Sequence, residues 1–393
     1  MWGGMKKDNW CRLALALVAI WFLGGCALSN ALRPEPVNSV WHRDGAITRS
    51  LFFATDREAA AGSFSLHWGA ALRCGRADIT IPAIALPGEG PTVRSATCDS
   101  EASLAGFARQ IRDAAQAMHC NQVLLVIHGF NATFATSMLR AAQLGLDTQW
   151  ACATLMFGWS SEGKFDRYAA DIERSGYAVP ALIGLMQALN AAGLKVDVIA
   201  HSVGARIALG AAGAMCQAHQ GKVNQMILAA ADVSAERYND DFGHLLERAS
   251  ECLGRTTIYA SEHDMALITS ESFHGGVPRA GRVPLRDLQY DKGYGAVDVV
   301  DASLAPGDPG GHSYFTRSYE MTRDMMWVLA GASMVQRAAQ DTGPTLTCVD
   351  WDGSRCATGG GRYVLAVARE REPDWGTRLI RHIWPIIFPV QLP

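Results

Sequence analysis

The sequence predicts an α/β fold with a mostly parallel central sheet flanked by helices. Three observations carry that prediction. Short apolar, β-branched runs recur at Gln122–Ile127, Ala153–Phe157, Val196–Ala200, Gln225–Ala230, Thr256–Ser261 and Ala296–Asp301, and the first of them, a continuous apolar run, suits a strand buried on both faces, as in a parallel sheet. Helical runs alternate with them, as right-handed βαβ crossovers require. Each run ends in a polar or Gly-containing turn, and sites in such sheets lie outside the carboxyl ends of the strands.

In chain order, Lys6, Lys7 and Arg12 precede an apolar stretch, Leu13–Leu23, that is too short to cross a ~30 Å hydrocarbon layer as a helix. Leu23-Gly24-Gly25-Cys26 follows and resembles a bacterial lipobox. Residues 1–25 are therefore expected to be a lipoprotein signal peptide, Cys26 the lipidated residue and 26–48 a tether. Ala27 resembles an outer-membrane signal, which would place the protein in the cell envelope facing the periplasm. Ser50–Arg57 reads as a first strand, Ala77–Pro82 as part of a β-rich N-terminal portion, and 103–117 as a helix. Lys164–Ala192 reads as one or two helices, with Tyr168 and Asp171 as a structural or pocket-lining pair. Ala296–Asp301 reads as the last strand and Phe315–Ala339 as the closing helix, so the domain would span 49–339 with a C-terminal extension over 340–393. Within the extension, Arg378–Phe388 mixes basic residues with Trp, Ile and Phe. It suits either contact with a membrane surface or packing on its own domain.

The 393 residues are 49% hydrophobic, ample for one elaborated domain, and the net charge of −3 offers no basic surface for nucleic acid. Beyond Cys11 and Cys26, eight cysteines remain: 74, 98, 120, 152, 216, 252, 348 and 356. In an exported protein they permit disulfides. Cys348 with Cys356 is the nearest pair and Cys74 with Cys98 the next. No Cys-x-x-Cys or His cluster suggests zinc, so neither metal nor cofactor is expected.

The chemistry centres on Ala200-His201-Ser202-Val203-Gly204. A buried strand, a sharp turn carrying a serine and a helix resemble the nucleophile elbow of α/β-hydrolases, with Ala200 where glycine is usual. A lone Ser-x-Gly would equally suit another α/β protein; its companions decide. A serine hydroxyl is a weak nucleophile and needs a general base, itself oriented by an acid. Ser202, Asp264 and His312 follow in the order serine, acid, histidine, each at a strand end. Asp232 is the alternative acid, after the strand that follows the elbow. Asp298 and Asp301 lie too close before His312. Of the other histidines, His128 belongs to a strand-end turn, His201 adjoins the nucleophile, His263 adjoins the acid, and His274 sits in a Gly-rich loop. His128-Gly129-Phe130 looks like an oxyanion loop, so the backbone N–H groups of Phe130 and Val203 are the candidate oxyanion hole.

Further motifs carry a resemblance. Phe-Phe-Ala-Thr-Asp-Arg (52–57), His-Gly-Phe-Asn (128–131), Gly-Trp-Ser (158–160), Tyr168 with Asp171, Ala-His-Ser-Val-Gly-Ala-Arg (200–206), Tyr-Ala-Ser-Glu-His-Asp-Met-Ala-Leu (259–267), Pro-Arg-Ala-Gly (278–281) and Gly-His-Ser-Tyr-Phe (311–315) look like a bacterial family of uncharacterised α/β-hydrolase-fold proteins, often lipoproteins. The resemblance covers about residues 50–335. It implies an esterase- or lipase-like fold and triad, and no substrate. Two functions are then expected. One is a membrane-anchored serine hydrolase acting on small-molecule or lipid esters, or related acyl compounds. The other is a non-catalytic envelope lipoprotein that uses the fold as a binding module. A decayed site would have lost a triad member, which favours the hydrolase.

Overall fold

The apolar runs pair with one another in a single sheet. A computed structural model of the chain describes residues 47–81, 92–98, 100–162, 167–235, 252–282, 297–305, 310–333, 336–337, 346–349 and 362–365. Cys26 and the leader, most of the tether, Cys356 and the Arg378–Phe388 tail lie outside them.

The N-terminal portion is β-rich, as expected. β1 (Ile47–Ala60), β2 (Ser63–Ile81) and β3 (Thr92–Thr97) pair antiparallel in turn. Helix α1 (Glu101–Ala117) then leads into β4 (Gln122–Ile127), α2 (Phe134–Asp147), β5 (Ala153–Gly158), α3 (Tyr168–Ala191), β6 (Lys195–His201), α4 (Val203–Gln217) and β7 (Val223–Ala229). After these come β8 (Leu253–Ala260), α5 (Met265–Phe273), β9 (Val297–Asp301), α6 (Tyr314–Arg317), α7 (Tyr319–Leu329), β10 (Leu346–Val349) and β11 (Arg362–Leu365). The strand order is β10-β11-β9-β8-β7-β6-β4-β5-β1-β2-β3. From β11 through β1 every neighbouring pair is parallel, and only β10, β2 and β3 run antiparallel to their neighbours. Two short strands thus follow β9, the run read as the last.

The strands are apolar on both faces because both faces are covered. Val123, Leu125 and Ile127 of β4 point into a core shared with Ile111 of α1, Leu182 of α3 and Ile207 of α4. Leu124 and Val126 point into a second core with Met138 of α2 and Met321 and Met325 of α7. Fully burying one such aliphatic side chain contributes about 1.5–3 kcal/mol, so this doubly covered centre holds the carboxyl edge of the sheet rigid.

Two corrections apply to the helices. The closing helix read as continuous breaks at Ser318, whose ψ of 126° is extended and whose hydroxyl caps α7 by accepting from Met321 N–H. Helices α2 and α5 had no counterpart in the sequence reading. Disulfides join Cys74–Cys98, Cys120–Cys152 and Cys216–Cys252. The first is one of the expected pairs. The Cys348–Cys356 pairing falls on a residue outside the described ones.

Candidate active site

Ser202 lies between β6 and α4 at φ 54°, ψ −124°. A positive φ is uncommon for a residue with a Cβ and persists only where the surroundings enforce it. Here the Ser202 N–H donates to the Ala229 carbonyl (3.0 Å) and the Ser202 carbonyl accepts from Asp232 N–H (3.1 Å). Glycine makes the turn possible on two sides. A Cβ on Gly204 would stand 2.5 Å from the His128 carbonyl oxygen, and one on Gly129 would stand 2.7 Å from Ser202 Cβ. The elbow and the loop after β4 therefore pack backbone to backbone. Ala200 is fully buried and pairs in register with Ile127 and Leu228, so its methyl group is accommodated inside the sheet.

The structure brings two of the three triad candidates into direct contact and sets Ser202 on the same sheet edge. His312 Nδ1 lies 2.7 Å from Asp264 Oδ2. A carboxylate only accepts, so Nδ1 carries a proton, and in the neutral ring Nε2 is the nitrogen left with a lone pair. Asp264 is fully buried, and its other oxygen accepts from Leu267 N–H at 3.0 Å, capping α5. The acid loop is tied to the histidine loop by Met265 N–H donating to the Gly310 carbonyl, 2.9 Å. His201 turns away from Ser202. Its ring stacks on Phe315 with centroids 4.3 Å apart and lies 4.6 Å from the His312 ring, and its Nε2 donates to the His312 carbonyl at 3.2 Å. Burial, with His312 adding to it, holds the His201 pKa well below its ordinary value, so this ring stays neutral and acts as a clamp.

The alternative acid is engaged elsewhere. Asp232 accepts from the hydroxyls of Tyr168 and Ser270, both at 2.6 Å, with the Arg279 guanidinium 4.0 Å away. Burial, and then Asp232 itself, pushes the Tyr168 pKa up, so Tyr168 remains a neutral donor.

The loop 128–132, the candidate oxyanion loop, is held from several directions. His128 stacks parallel on Trp159 with centroids 5.4 Å apart, and the Trp159 indole N–H donates to the His128 carbonyl at 2.8 Å. Burial, reinforced by Arg57, lowers the His128 pKa to about 3. Arg57 is fully buried and donates to the carbonyls of Ala132 (2.6 Å) and Ser161 (3.3 Å). Phe130 meets the Tyr168 ring edge-on at 5.5 Å. Val203 is the first residue of α4, so its N–H has no partner within the helix and stands at the positive end of the helix dipole. Sequence reasoning passed over Arg57 and Ser161. The signals available were a charged residue closing the apolar run 51–54 and a second serine after Gly-Trp-Ser.

No curated protein matches the chain. A family model described as an alpha/beta hydrolase of unknown function (DUF900) matches residues 104–329. The match takes in the loop after β4, the Ser202 turn, Asp264 and His312, and it covers more than half of the 393 residues. The parallel sheet and the serine at a strained strand-to-helix turn agree with it, and the chain belongs to this family of α/β hydrolases of unknown function.

Proposed function

We propose that the protein is a serine hydrolase that cleaves carboxylic esters or related acyl compounds through Ser202, His312 and Asp264. The observation that carries this reading is the 2.7 Å contact between His312 and a fully buried Asp264, on the sheet edge that also presents a serine at positive φ. In the proposed reaction, His312 Nε2 takes the Ser202 hydroxyl proton as Oγ attacks the carbonyl carbon. Negative charge moves to the carbonyl oxygen, where the N–H groups of Phe130 and Val203 would stabilise it. Collapse of the tetrahedral intermediate expels the alcohol, which takes the proton from His312 and leaves an acyl-Ser202. Water, deprotonated by the same histidine, then releases the acid and restores the serine. Asp264 holds His312 in the required tautomer and stabilises its charged form.

A strip of rings supports a substrate with an apolar part. Phe130, Tyr168 and Phe273 follow one another at 5.5 Å and 5.8 Å, and Phe273 is 56% exposed. The three disulfides suit an oxidising compartment and so support export, with lipidated Cys26 as the proposed anchor at the outer membrane. Labelling with a fluorophosphonate probe tests the central reading. Wild type should be labelled and Ser202→Ala should not. Labelling that survives in Ser202→Ala would sink the assignment, and a folded wild type that never labels would favour the binding module. Palmitate incorporation that is lost in Cys26→Ala tests the anchor.

A further inference from the structure

We propose that Asp171 is a positioning residue for the oxyanion hole and that it acts through Ser161. The inference rests on the serine-hydrolase reading and extends it to a residue remote from the triad. Asp171 sits in the first turn of α3 and is fully buried. Its Oδ2 accepts from the Ser161 hydroxyl at 2.6 Å, and both of its oxygens lie 3.0 Å from the Glu162 N–H. Ser161 Oγ in turn accepts from the Asn131 N–H at 2.8 Å. The relay therefore runs from carboxylate to hydroxyl to the backbone of the oxyanion loop.

The carboxylate gives the relay its direction. A serine hydroxyl can donate or accept. Facing a group that only accepts, Ser161 must donate to it, and its lone pairs are left for the Asn131 N–H. That bond fixes the peptide joining Phe130 to Asn131. Asn131 has φ 58°, a conformation that a residue with a Cβ keeps only where its surroundings hold it. One peptide upstream lies the Phe130 N–H, the proposed oxyanion donor. Arg57 grips the next carbonyl, Ala132, at 2.6 Å and reaches the Ser161 carbonyl as well. The loop is thus pinned on both sides of Asn131, and Ser161 takes part in both attachments. Tyr168, one turn before Asp171 on the same helix, packs its ring on Phe130. This accounts for Tyr168 and Asp171 standing three apart: the first turn of α3 supports the oxyanion loop at the Phe130 ring and at the Asn131 backbone.

A positioning role makes a prediction that a merely structural role does not. The full-length protein is assayed with a p-nitrophenyl ester and with a trifluoromethyl ketone, whose adduct with Ser202 places an oxyanion in the hole. Ser161→Ala and Asp171→Asn are each expected to lower kcat about tenfold or more with KM little changed, because a displaced donor is felt in the transition state. Each should raise the ketone Ki by a similar factor. Since Asp171 acts through Ser161, the double variant should be no worse than Ser161→Ala alone. Ser161→Ala removes one hydroxyl and keeps the test decisive even if Asp171→Asn fails to fold. Unchanged kcat and Ki in a folded Ser161→Ala overturns the proposal, as do losses that multiply in the double variant or that fall on KM alone. A folded wild type that neither hydrolyses esters nor labels with fluorophosphonate overturns the hydrolase reading and the inference with it. An active wild type with unaffected variants overturns the inference alone.

Discussion

Replacing Gly204 by alanine adds one methyl group at the closest approach between the elbow and the end of β4. The new Cβ would stand 2.5 Å from the His128 carbonyl oxygen and 2.8 Å from that of Ile127. Ordinary contact begins near 3.4 Å, so the start of α4 and the end of β4 would have to separate by about 0.9 Å. Neither obstructing atom can rotate away, because both are main-chain. Nor can β4 give easily, since it is hydrogen-bonded along its length to β5 and β6. The proposed donors, Phe130 N–H and Val203 N–H, sit on opposite sides of this seam, so opening it moves one relative to the other. A misplacement of about 1 Å costs on the order of 100-fold in rate. Ester hydrolysis by Gly204→Ala should accordingly fall about 100-fold or more, and fluorophosphonate labelling should slow in parallel. Overpacking should cost about 1–3 kcal/mol of stability, read as a lower urea midpoint with the fold retained. Gly176→Ala is the control. It is an exposed position in α3 with nothing within 4 Å of the added Cβ, and it should gain up to about 1 kcal/mol from helix propensity while leaving activity unchanged. A folded Gly204→Ala whose kcat/KM stays within about threefold of wild type would refute the argument that this seam sets the oxyanion geometry.

Asp264→Asn should lower kcat about 10⁴-fold by stabilising the wrong tautomer of His312, whereas Asp232→Asn should leave the His312 contact intact and cost far less; a larger loss in Asp232→Asn would reverse the choice of acid. Arg337 is buried and donates to Asp324 (2.5 and 2.8 Å) and Asp298 (3.1 Å). Asp298 would keep Arg255 at 2.6 Å, so Arg337→Ala should cost about 3–5 kcal/mol by removing the guanidinium from buried Asp324, read by urea unfolding. His128, with its pKa lowered from 6.5 to about 3, stays neutral in the fold while the unfolded chain takes up a proton below pH 6.5. Its contribution is therefore full above pH 6.5 and lost as pH falls toward 3, amounting to about 2 kcal/mol between pH 7 and pH 5. Burial raises Asp56 to about 6 and Asp197 to about 7. Both gain protons in the fold over the same window and act with the opposite sign, so the readout is the change in slope between wild type and His128→Gln; identical slopes would count against a neutral His128.

Strands β4 to β9 were legible because both faces are covered and each carries a mainly apolar or β-branched run, interrupted only at positions such as Asp197 in β6 and Asp298 in β9. Helix α5 was hidden because it buries Thr269, Ser270 and Glu271, so the apolar period that marks a surface helix is lost. Helix α2 keeps that period at Phe134, Met138, Ala141 and Ala142 and has the capping Thr133 with Thr136 three residues on, so it was legible and was passed over. Strands β10 and β11, at four residues each, are too short for periodicity to register. Cys74 and Cys98 were close enough in sequence to suggest a pair. Cys120 and Cys152 became neighbours only through sheet order, since each precedes one of two adjacent parallel strands, β4 and β5. Cys216, at the end of α4, and Cys252, just before β8, meet across the entry to β7 in the same way.

The triad candidates were legible because a chain order and a strand end are both properties of sequence. Of the groups that hold the loops, only Asp171 was, paired by its spacing with Tyr168 as a structural or pocket-lining residue. Arg57 and Ser161 act through carbonyls and N–H groups that only the packed backbone brings near them, and no spacing encodes that. The elbow shows the same division more sharply. Sequence alone made Ala200 the doubtful position, because glycine is usual there. The steric demand falls elsewhere. Ser202 holds its positive φ with Ala200 in place, and the methyl group of Ala200 belongs to the apolar core. The positions without room are Gly129 and Gly204, where a Cβ would meet Ser202 and the end of β4. Before the serine the chain is still a strand, and its side chains point into covered faces. After the serine the helix starts against the oxyanion loop, backbone to backbone. Small residues are therefore tolerated on one side of the nucleophile and only glycine on the other, so Ala200→Gly should be nearly silent in activity where Gly204→Ala is not.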